Sequence, residues 1–240
     1  MTLGLAFTAL GYLTGALVFF WAAREKGVAT DGMARLAAIG FFGGILGAKL
    51  TQLLFEGWPW RVPAATILDP SVGGRALLGG LVVGWLCVEV AKRRMGIQRS
   101  TGDLFALALP AGEAVGRIGC YFNGCCYGSE CELPWAVWQH DAFRHPAQLY
   151  SAVVAGGIFF ALAAFRKIVS PGELFRWYLL LFGLTRFALE FLRYRESLWW
   201  GLSPMQWFCI ELAAFAGLSL TFSARKRKIG VRIDPTRTSS

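Results

Sequence analysis

About seven stretches of near-membrane length fill most of this 240-residue chain and leave little room for a soluble domain. A helix needs about 20 apolar residues to cross the hydrocarbon core of a bilayer. The stretches run roughly over 3–23, 33–55, 75–91, 102–119, 148–165, 174–192 and 204–222. They predict an all-α polytopic membrane protein with one membrane domain over 1–223, an outer Cys-rich loop at about 120–147 and a basic tail over 224–240. Composition agrees, since 55% of residues are hydrophobic and only 16% charged, against about 25% charged in a soluble domain. The third stretch needs Gly73 to Leu77 to reach across. The fourth carries Asp103, Glu113 and Arg117, and polar groups within a span face a cavity or a partner rather than lipid. Asp103 opens that span and is read as a helix cap.

The net charge of +9 does not indicate nucleic acid, because the basic residues sit at the ends of apolar stretches, where they set topology. One set of loops holds Arg24, Lys26 and Arg35, then Lys92, Arg93, Arg94 and Arg99, then Arg166, Lys167 and Arg176, and ends on the tail with Arg225 to Lys228, Arg232 and Arg237. The other set holds only Arg61, Arg75, Arg144, Arg193 and Arg195. The positive-inside rule places the first set in the cytoplasm, the N-terminus outside and the C-terminus inside. Met1 to Ala23 has no basic region ahead of its apolar run, so it reads as a retained span. The tail after Ser223 reads as a disordered surface anchor. Trp58, Trp60, Trp135, Trp138, Trp199 and Trp200 fall near outer span ends, as in an aromatic belt. No internal repeat supports a transporter built from paired halves.

The densest chemical signal is Gly116-Arg117-Ile118-Gly119-Cys120-Tyr121-Phe122-Asn123-Gly124-Cys125-Cys126-Tyr127-Gly128, with four glycines in thirteen positions. Such backbone bends tightly and is tolerated at membrane depth only under protein or around a water-filled cavity. Arg117 at its start calls for an anion, and a Gly-rich bend beside an arginine suits phosphate. Further along, Arg186 and Glu190 lie four apart and share one helical face, which implies a paired polar cavity.

These residues carry a resemblance. The Gly116–Gly128 stretch is similar to the Gly-Arg-x-Gly-Asn-Phe-x-Asn-Gly-Glu signature of the prolipoprotein diacylglyceryl transferases. Arg144-His145-Pro146-Ala147-Gln148-Leu149-Tyr150 resembles the family's His-Pro-x-Gln-Leu-Tyr motif. Phe182 to Arg193 resembles its Tyr-Gly-x-x-Arg-x-x-x-Glu-Phe-x-Arg stretch, and Leu202-Ser203-Pro204-Met205-Gln206 its Leu-Ser-x-x-Gln opening of the last span. The motifs fall in the family's order. The resemblance implies a seven-span bacterial inner-membrane enzyme. Such an enzyme moves diacylglyceryl from phosphatidylglycerol, or a similar anionic lipid, to a prolipoprotein cysteine thiol and releases glycerol phosphate. No cofactor is expected. By resemblance Arg117 and Arg186 supply the charge that holds phosphate, and Glu190 orients Arg186. Asn123, Gly119, Gly128, Gln148, Tyr150, Cys120 and Cys125 line the substrate. Where the family has Ser-Phe-His-Gly-Gly this chain has Ala76-Leu77-Leu78-Gly79-Gly80. Leu78 thus replaces the family histidine, and Cys120 and Cys125 replace its asparagine and glutamate. The base must come from elsewhere, and the candidates are His145, Tyr121, Tyr127 and the thiols Cys120 and Cys125, with His145 favoured because an unperturbed imidazole titrates near the working pH.

Two other functions compete: a transferase of the same fold with a different acceptor or transferred group, and a membrane thiol-redox protein. Cys120, Cys125, Cys126 and Cys131 fall within twelve residues. They admit a structural disulfide, a catalytic or redox thiol, or a metal site with His140 or His145, though their spacing matches no standard zinc pattern.

Overall fold

The computed structural model describes residues 2–28, 31–56, 77–98, 100–194, 198 and 200–228, with the backbone alone for 31, 52–56, 77–78 and 226–228. The expectations for Trp58, Trp60, Arg61, Arg75, Ala76, Arg99, Arg195, Trp199, Arg232, Arg237 and the Leu78 side chain lie outside the described residues.

Seven helices stand among the described residues. They are α1 (Leu3–Glu25), α2 (Asp31–Glu56), α3 (Leu77–Arg94), α4 (Gly102–Phe122), α5 (Ala147–Phe165), α6 (Glu173–Glu190) and α7 (Pro204–Lys228). Each covers one of the apolar stretches, with ends shifted by a few residues. Four are long and apolar enough to cross a membrane, over Leu3–Glu25, Gly32–Thr51, Ala147–Phe165 and Pro204–Arg225. Between α4 and α5 a short antiparallel hairpin interrupts the all-helical plan, with β1 (Val137–Gln139) paired to β2 (Ala142–Arg144). His140 and Asp141 turn it with positive φ of 51° and 59°. α7 continues to Lys228, so the start of the expected disordered tail is helical. Arg and Lys are good helix formers, and positive charge at a helix C-terminus opposes the macrodipole.

Helix α4 is the hub. It packs on α1, α5 and α6, while α2 pairs with α3 and α6 with α7. Glycines set the closest approaches. A Cβ on Gly11 would lie 2.8 Å from Gly112 O and 2.9 Å from Gly116 N. One on Gly119 would lie 2.8 Å from Gly4 O. The α2–α3 pair is as tight, with Gly80 facing Gly44 O at 3.0 Å and Gly84 facing Gly40 O at 3.1 Å. Small residues four apart allow this backbone proximity between membrane helices, where dispersion rather than the hydrophobic effect drives association. Bulky apolar groups fill the inner face, among them Phe19, Leu36, Leu107, Leu162, Leu174 and Phe182. The outer face is also apolar, with Val153 76% and Phe160 71% exposed. An apolar exterior around an apolar core suits lipid and would be an aggregation hazard in water.

Asp103 does not simply cap α4. Its Oδ2 accepts from Lys26 Nζ at 3.0 Å and from Gly172 N–H at 2.8 Å, tying the ends of α1, α4 and the α5–α6 turn together.

A Gly11→Ala substitution puts a methyl against backbone atoms that cannot yield, and is expected to cost about 1–3 kcal/mol by overpacking. Gly156→Ala, where a Cβ meets nothing within 4 Å, is the control. Thermal unfolding in detergent should separate them, with only Gly11→Ala lowered.

Candidate active site

Two Arg–Glu pairs with the same four-residue spacing, on neighbouring helices, lie within electrostatic range of each other. On α4, Glu113 Oε1 accepts from Arg117 Nε at 3.1 Å and Nη2 at 2.9 Å. On α6, Arg186 Nη2 lies 2.9 Å from Glu190 Oε2, and the two side chains are 6% and 10% exposed. Arg193, in the turn after α6, reaches the same carboxylate oxygen at 3.8 Å. Arg186 lies within electrostatic range of Arg193, Arg117, Glu190 and Glu113. Three arginines against two glutamates leave one net positive charge.

The second pair is braced by the start of α7. Gln206 N–H donates to Ser203 Oγ at 3.2 Å, and Gln206 Oε1 accepts from Ser203 N–H at 2.9 Å. This reciprocal pair is a capping box, Ser-x-x-Gln. The Ser203 hydroxyl also donates to Glu190 Oε1 at 3.3 Å, which fixes the carboxylate that fixes Arg186. Even so, Arg186 Nε and Nη1 are buried and have no hydrogen-bond partner among the described residues. Buried donors are almost always satisfied, and guanidinium donors left over in a polar cluster call for an anionic ligand.

The glycine-rich stretch closes α4 and folds back. Asn123 caps the helix, its N–H donating to Gly119 O at 2.9 Å, and its carboxamide lies against Gly4 at the start of α1. Gly119 serves the α1–α4 contact. Asn123 and Gly119 thus both take part in helix packing, and among the described residues no hydrogen bond or ion pair joins Asn123 to the arginines. Gly124 and Cys126 both take positive φ, at 66° and 62°. That reversal brings the Cys120, Cys125 and Cys126 Sγ atoms within 4.8 Å of one another. All six cysteines are free thiols, so the disulfide reading is not realised. Hydrogen bonds from the Cys120 and Cys125 thiols, with Arg193 and Arg117 nearby, hold Cys126 below the ordinary thiol range against its burial. Arg117 in turn feels Cys126 and Cys120, so thiols and arginines share one electrostatic neighbourhood.

The His-Pro segment supports this loop from behind. Buried Gln148 donates from Nε2 to Cys125 O at 2.8 Å and to Gln139 Oε1 at 3.1 Å. Tyr150 Oη accepts from Trp135 Nε1 at 2.7 Å, with His145 Nδ1 at 3.5 Å. Gly128 is buried beneath His145, and a Cβ there would lie 2.6 Å from His145 Cβ and 2.9 Å from Leu192 O. His145 therefore sits against Tyr150 and Gly128, and the described contacts do not bring it to the arginines. His140 meets Gly124 O at 2.7 Å.

Arg144, in sequence only an outer-loop charge at the head of the His-Pro motif, is the organising cation of the hairpin. It is 8% exposed, donates to Gln139 O at 3.0 Å and Glu130 Oε1 at 3.1 Å, and stacks over Tyr127 and Tyr194 at 5.1 and 5.6 Å. Its place directly before His145-Pro146 was the available signal.

Comparison with known proteins agrees with the motifs. A family model described as prolipoprotein diacylglyceryl transferase matches residues 3–222. A Clostridium tetani protein named phosphatidylglycerol–prolipoprotein diacylglyceryl transferase is 30% identical over 197 residues, covering 78% of this chain and 79% of its own. Proteins of the same name from Idiomarina loihiensis and Aromatoleum aromaticum are 29% and 31% identical, covering 91% and 90% of this chain and 88% and 89% of their own. With a match over nearly its whole length, this chain belongs to the prolipoprotein diacylglyceryl transferase family.

Proposed function

We propose that this chain transfers diacylglyceryl from phosphatidylglycerol to a prolipoprotein cysteine thiol, as a multi-pass protein of a bacterial inner membrane. Seven spans would then run with the N-terminus outside and the C-terminus in the cytoplasm. The observation that carries the reading is Arg186, buried beside Glu190 with two guanidinium nitrogens that have no partner among the described residues. In this reading the lipid enters sideways from the membrane and its phosphate takes those donors, with Arg117 and Arg193 adding positive charge. The acceptor sulfur attacks the glyceryl carbon bonded to the phosphate oxygen. That C–O bond breaks, its electrons pass to the oxygen, and glycerol phosphate leaves. Donors aimed at the developing charge accelerate such a step because they need no reorganisation.

Glu190 orients Arg186 rather than acting as base, since its carboxylate is held by Arg186, Arg193 and Ser203. Gln148, Tyr150 and Gly128 shape the outer wall through the contacts above, with Cys120 and Cys125 facing the substrate. The contact of His145 with Tyr150 supports a positioning role for that histidine. Leu78 in the family's histidine position favours a second reading, the same phosphatidylglycerol chemistry directed to a different acceptor. Incubation with head-group-labelled phosphatidylglycerol separates the outcomes. Release of labelled glycerol phosphate only when a cysteine-bearing lipoprotein peptide is present supports the first. Release with another acceptor alone selects the second.

Three predictions follow from this arrangement. Arg186→Lys keeps the charge but loses the planar fork. It is expected to lower kcat about 100-fold, the size of losing a fixed donor to the developing charge, and wild-type turnover would remove the bidentate contact. His145→Gln is expected to keep the wild-type rate profile across about pH 5–8, where an imidazole titrates. Loss of a limb of that profile would instead make His145 the base. An epitope appended after Ser240 should be protected from protease in intact spheroplasts and digested in inverted vesicles, and the opposite pattern overturns the topology.

A further inference from the structure

The loop after α4 gathers three thiols at one point. Cys120 closes the last turn of α4, and Cys125 and Cys126 return to it through the two positive-φ residues. A non-glycine residue in the left-handed region costs on the order of 1 kcal/mol or more and persists only where its surroundings enforce it. Here they do. Cys125 N–H donates to Cys120 O at 3.2 Å, Gln148 Nε2 holds Cys125 O at 2.8 Å, and His140 holds Gly124 O at 2.7 Å. Each of these bonds goes to the loop backbone and leaves the three sulfurs facing one another. Cys131 lies apart, its N–H bonded to Phe143 O at 3.0 Å.

We infer that Cys120, Cys125 and Cys126 form a site for a thiophilic divalent cation of the zinc class, whose fourth position takes the acceptor thiol. This inference rests on the transferase reading above. Geometry permits it, because tetrahedral ligation at about 2.3 Å spaces sulfurs about 3.8 Å apart, so closing from within 4.8 Å needs at most about 1 Å per pair. Three protein ligands with one open position is the pattern of a catalytic rather than a structural zinc site. A disulfide would use two of the thiols and leave the convergence of the third without a purpose.

Chemistry supplies the reason for the site. The acceptor must reach the lipid as thiolate. The carboxylates at the arginines are poorly placed to take its proton, since Glu113 is held by Arg117 and Glu190 by Arg186 and Arg193. A cation of this class deprotonates a coordinating thiol outright. The acceptor S–H proton would pass to water as sulfur binds the cation. A sulfur lone pair then forms the C–S bond to the glyceryl carbon as the C–O bond breaks, and the electron pair of that bond leaves on the phosphate oxygen. The neutral thioether, a weaker ligand than thiolate, departs and the fourth position reopens. No atom changes oxidation state through an outside oxidant or reductant. Two fixed cations flank the cluster, since Arg193 and Arg117 both act on Cys126.

The test uses the full-length protein in detergent, kept reduced, stripped of metal and titrated with Co2+. The expected result is one Co2+ per chain with thiolate-to-cobalt charge-transfer absorption, displaced by Zn2+. Binding should weaken at least about tenfold in each of Cys120→Ser, Cys125→Ser and Cys126→Ser, and stay unchanged in Cys131→Ser. Absence of the charge-transfer band overturns the site, and so does a band that survives in all three variants. So does protein isolated without reductant that has lost two of the trio's thiols to a disulfide and carries no zinc. Because single variants can misfold, stripped and zinc-reloaded wild-type protein are also compared for glycerol phosphate release. Restoration by Zn2+ supports the activating role, and equal rates overturn it. If neither form releases glycerol phosphate while cobalt still binds the three thiols, the transferase reading fails and the metal site stands.

Discussion

A guanidinium enclosed by apolar helices must be neutralised, solvated or given an anion, and Arg186 imposes that condition on everything around it. On an exposed helix surface, a four-residue Arg–Glu pair contributes only about 0.3–0.5 kcal/mol. Buried to 6% and 10% exposure, the same pair becomes a constraint, since removing one partner of a buried ion pair costs about 3–5 kcal/mol. Its orientation points the same way. Glu113 precedes Arg117, the order that supports a helix, whereas Arg186 precedes Glu190, which places a carboxylate against the negative end of α6. Local helix stability does not account for that order. The surroundings do, because Ser203 at the cap of α7 and Arg193 beyond α6 both reach Glu190. The last helix is thereby registered to the charge it serves.

The rest of the bundle makes that cluster possible by bringing backbones unusually close. Gly11 against Gly112 and Gly4 against Gly119 let α1 lie on α4 with little side chain between them. This leaves the α5–α6 side of α4 for polar groups. Glycine costs roughly 0.5–1 kcal/mol in a helix relative to alanine, a cost offset here by dispersion over the whole contact. The 120–147 loop is fastened separately. Ser129 N–H bonds Leu192 O at 3.0 Å and Tyr194 N–H bonds Tyr127 O at 3.3 Å, which ties the thiol loop to the turn carrying Arg193.

Hydrophobic run length made the helices legible, because a span must hold its apolar residues together and the loops must hold the charges. The hairpin was not legible, since strands of three residues have no periodicity to detect and 120–147 reads as polar loop. The Ser203-x-x-Gln206 box could have been read from its spacing, yet it registered only as a family motif without its mechanical meaning. The Arg186–Glu190 pair was visible as i, i+4, but its unsatisfied donors required burial that sequence cannot supply. The thiol cluster was legible only as a set of alternatives, a disulfide, a redox thiol or a metal site, because the convergence of Cys120, Cys125 and Cys126 depends on Gly124 and Cys126 turning left-handed. Asn123 shows a further gap, because a motif match suggests a ligand position and says nothing of the helix cap and the Gly4 contact that the same residue provides.

Charge counting links the two halves of the site. Arg117, Arg186 and Arg193 against Glu113 and Glu190 leave one positive charge, and the phosphodiester of phosphatidylglycerol brings one negative. In the proposed reading the donor is thus charge-balanced against the arginine–glutamate cluster, in a place where an unbalanced ion would be expelled by its own solvation energy. Cleavage of the C–O bond converts the diester into a monoester with a second ionisable oxygen, and the balance is lost. The developing charge is met during the step by donors already in position. Once formed, the more highly charged product gains more from water than the cluster can offer, and it has lost the acyl chains that tied it to the bilayer. In that reading the same site holds the substrate because it is neutralised and releases the product because it is not, without requiring a moving lid.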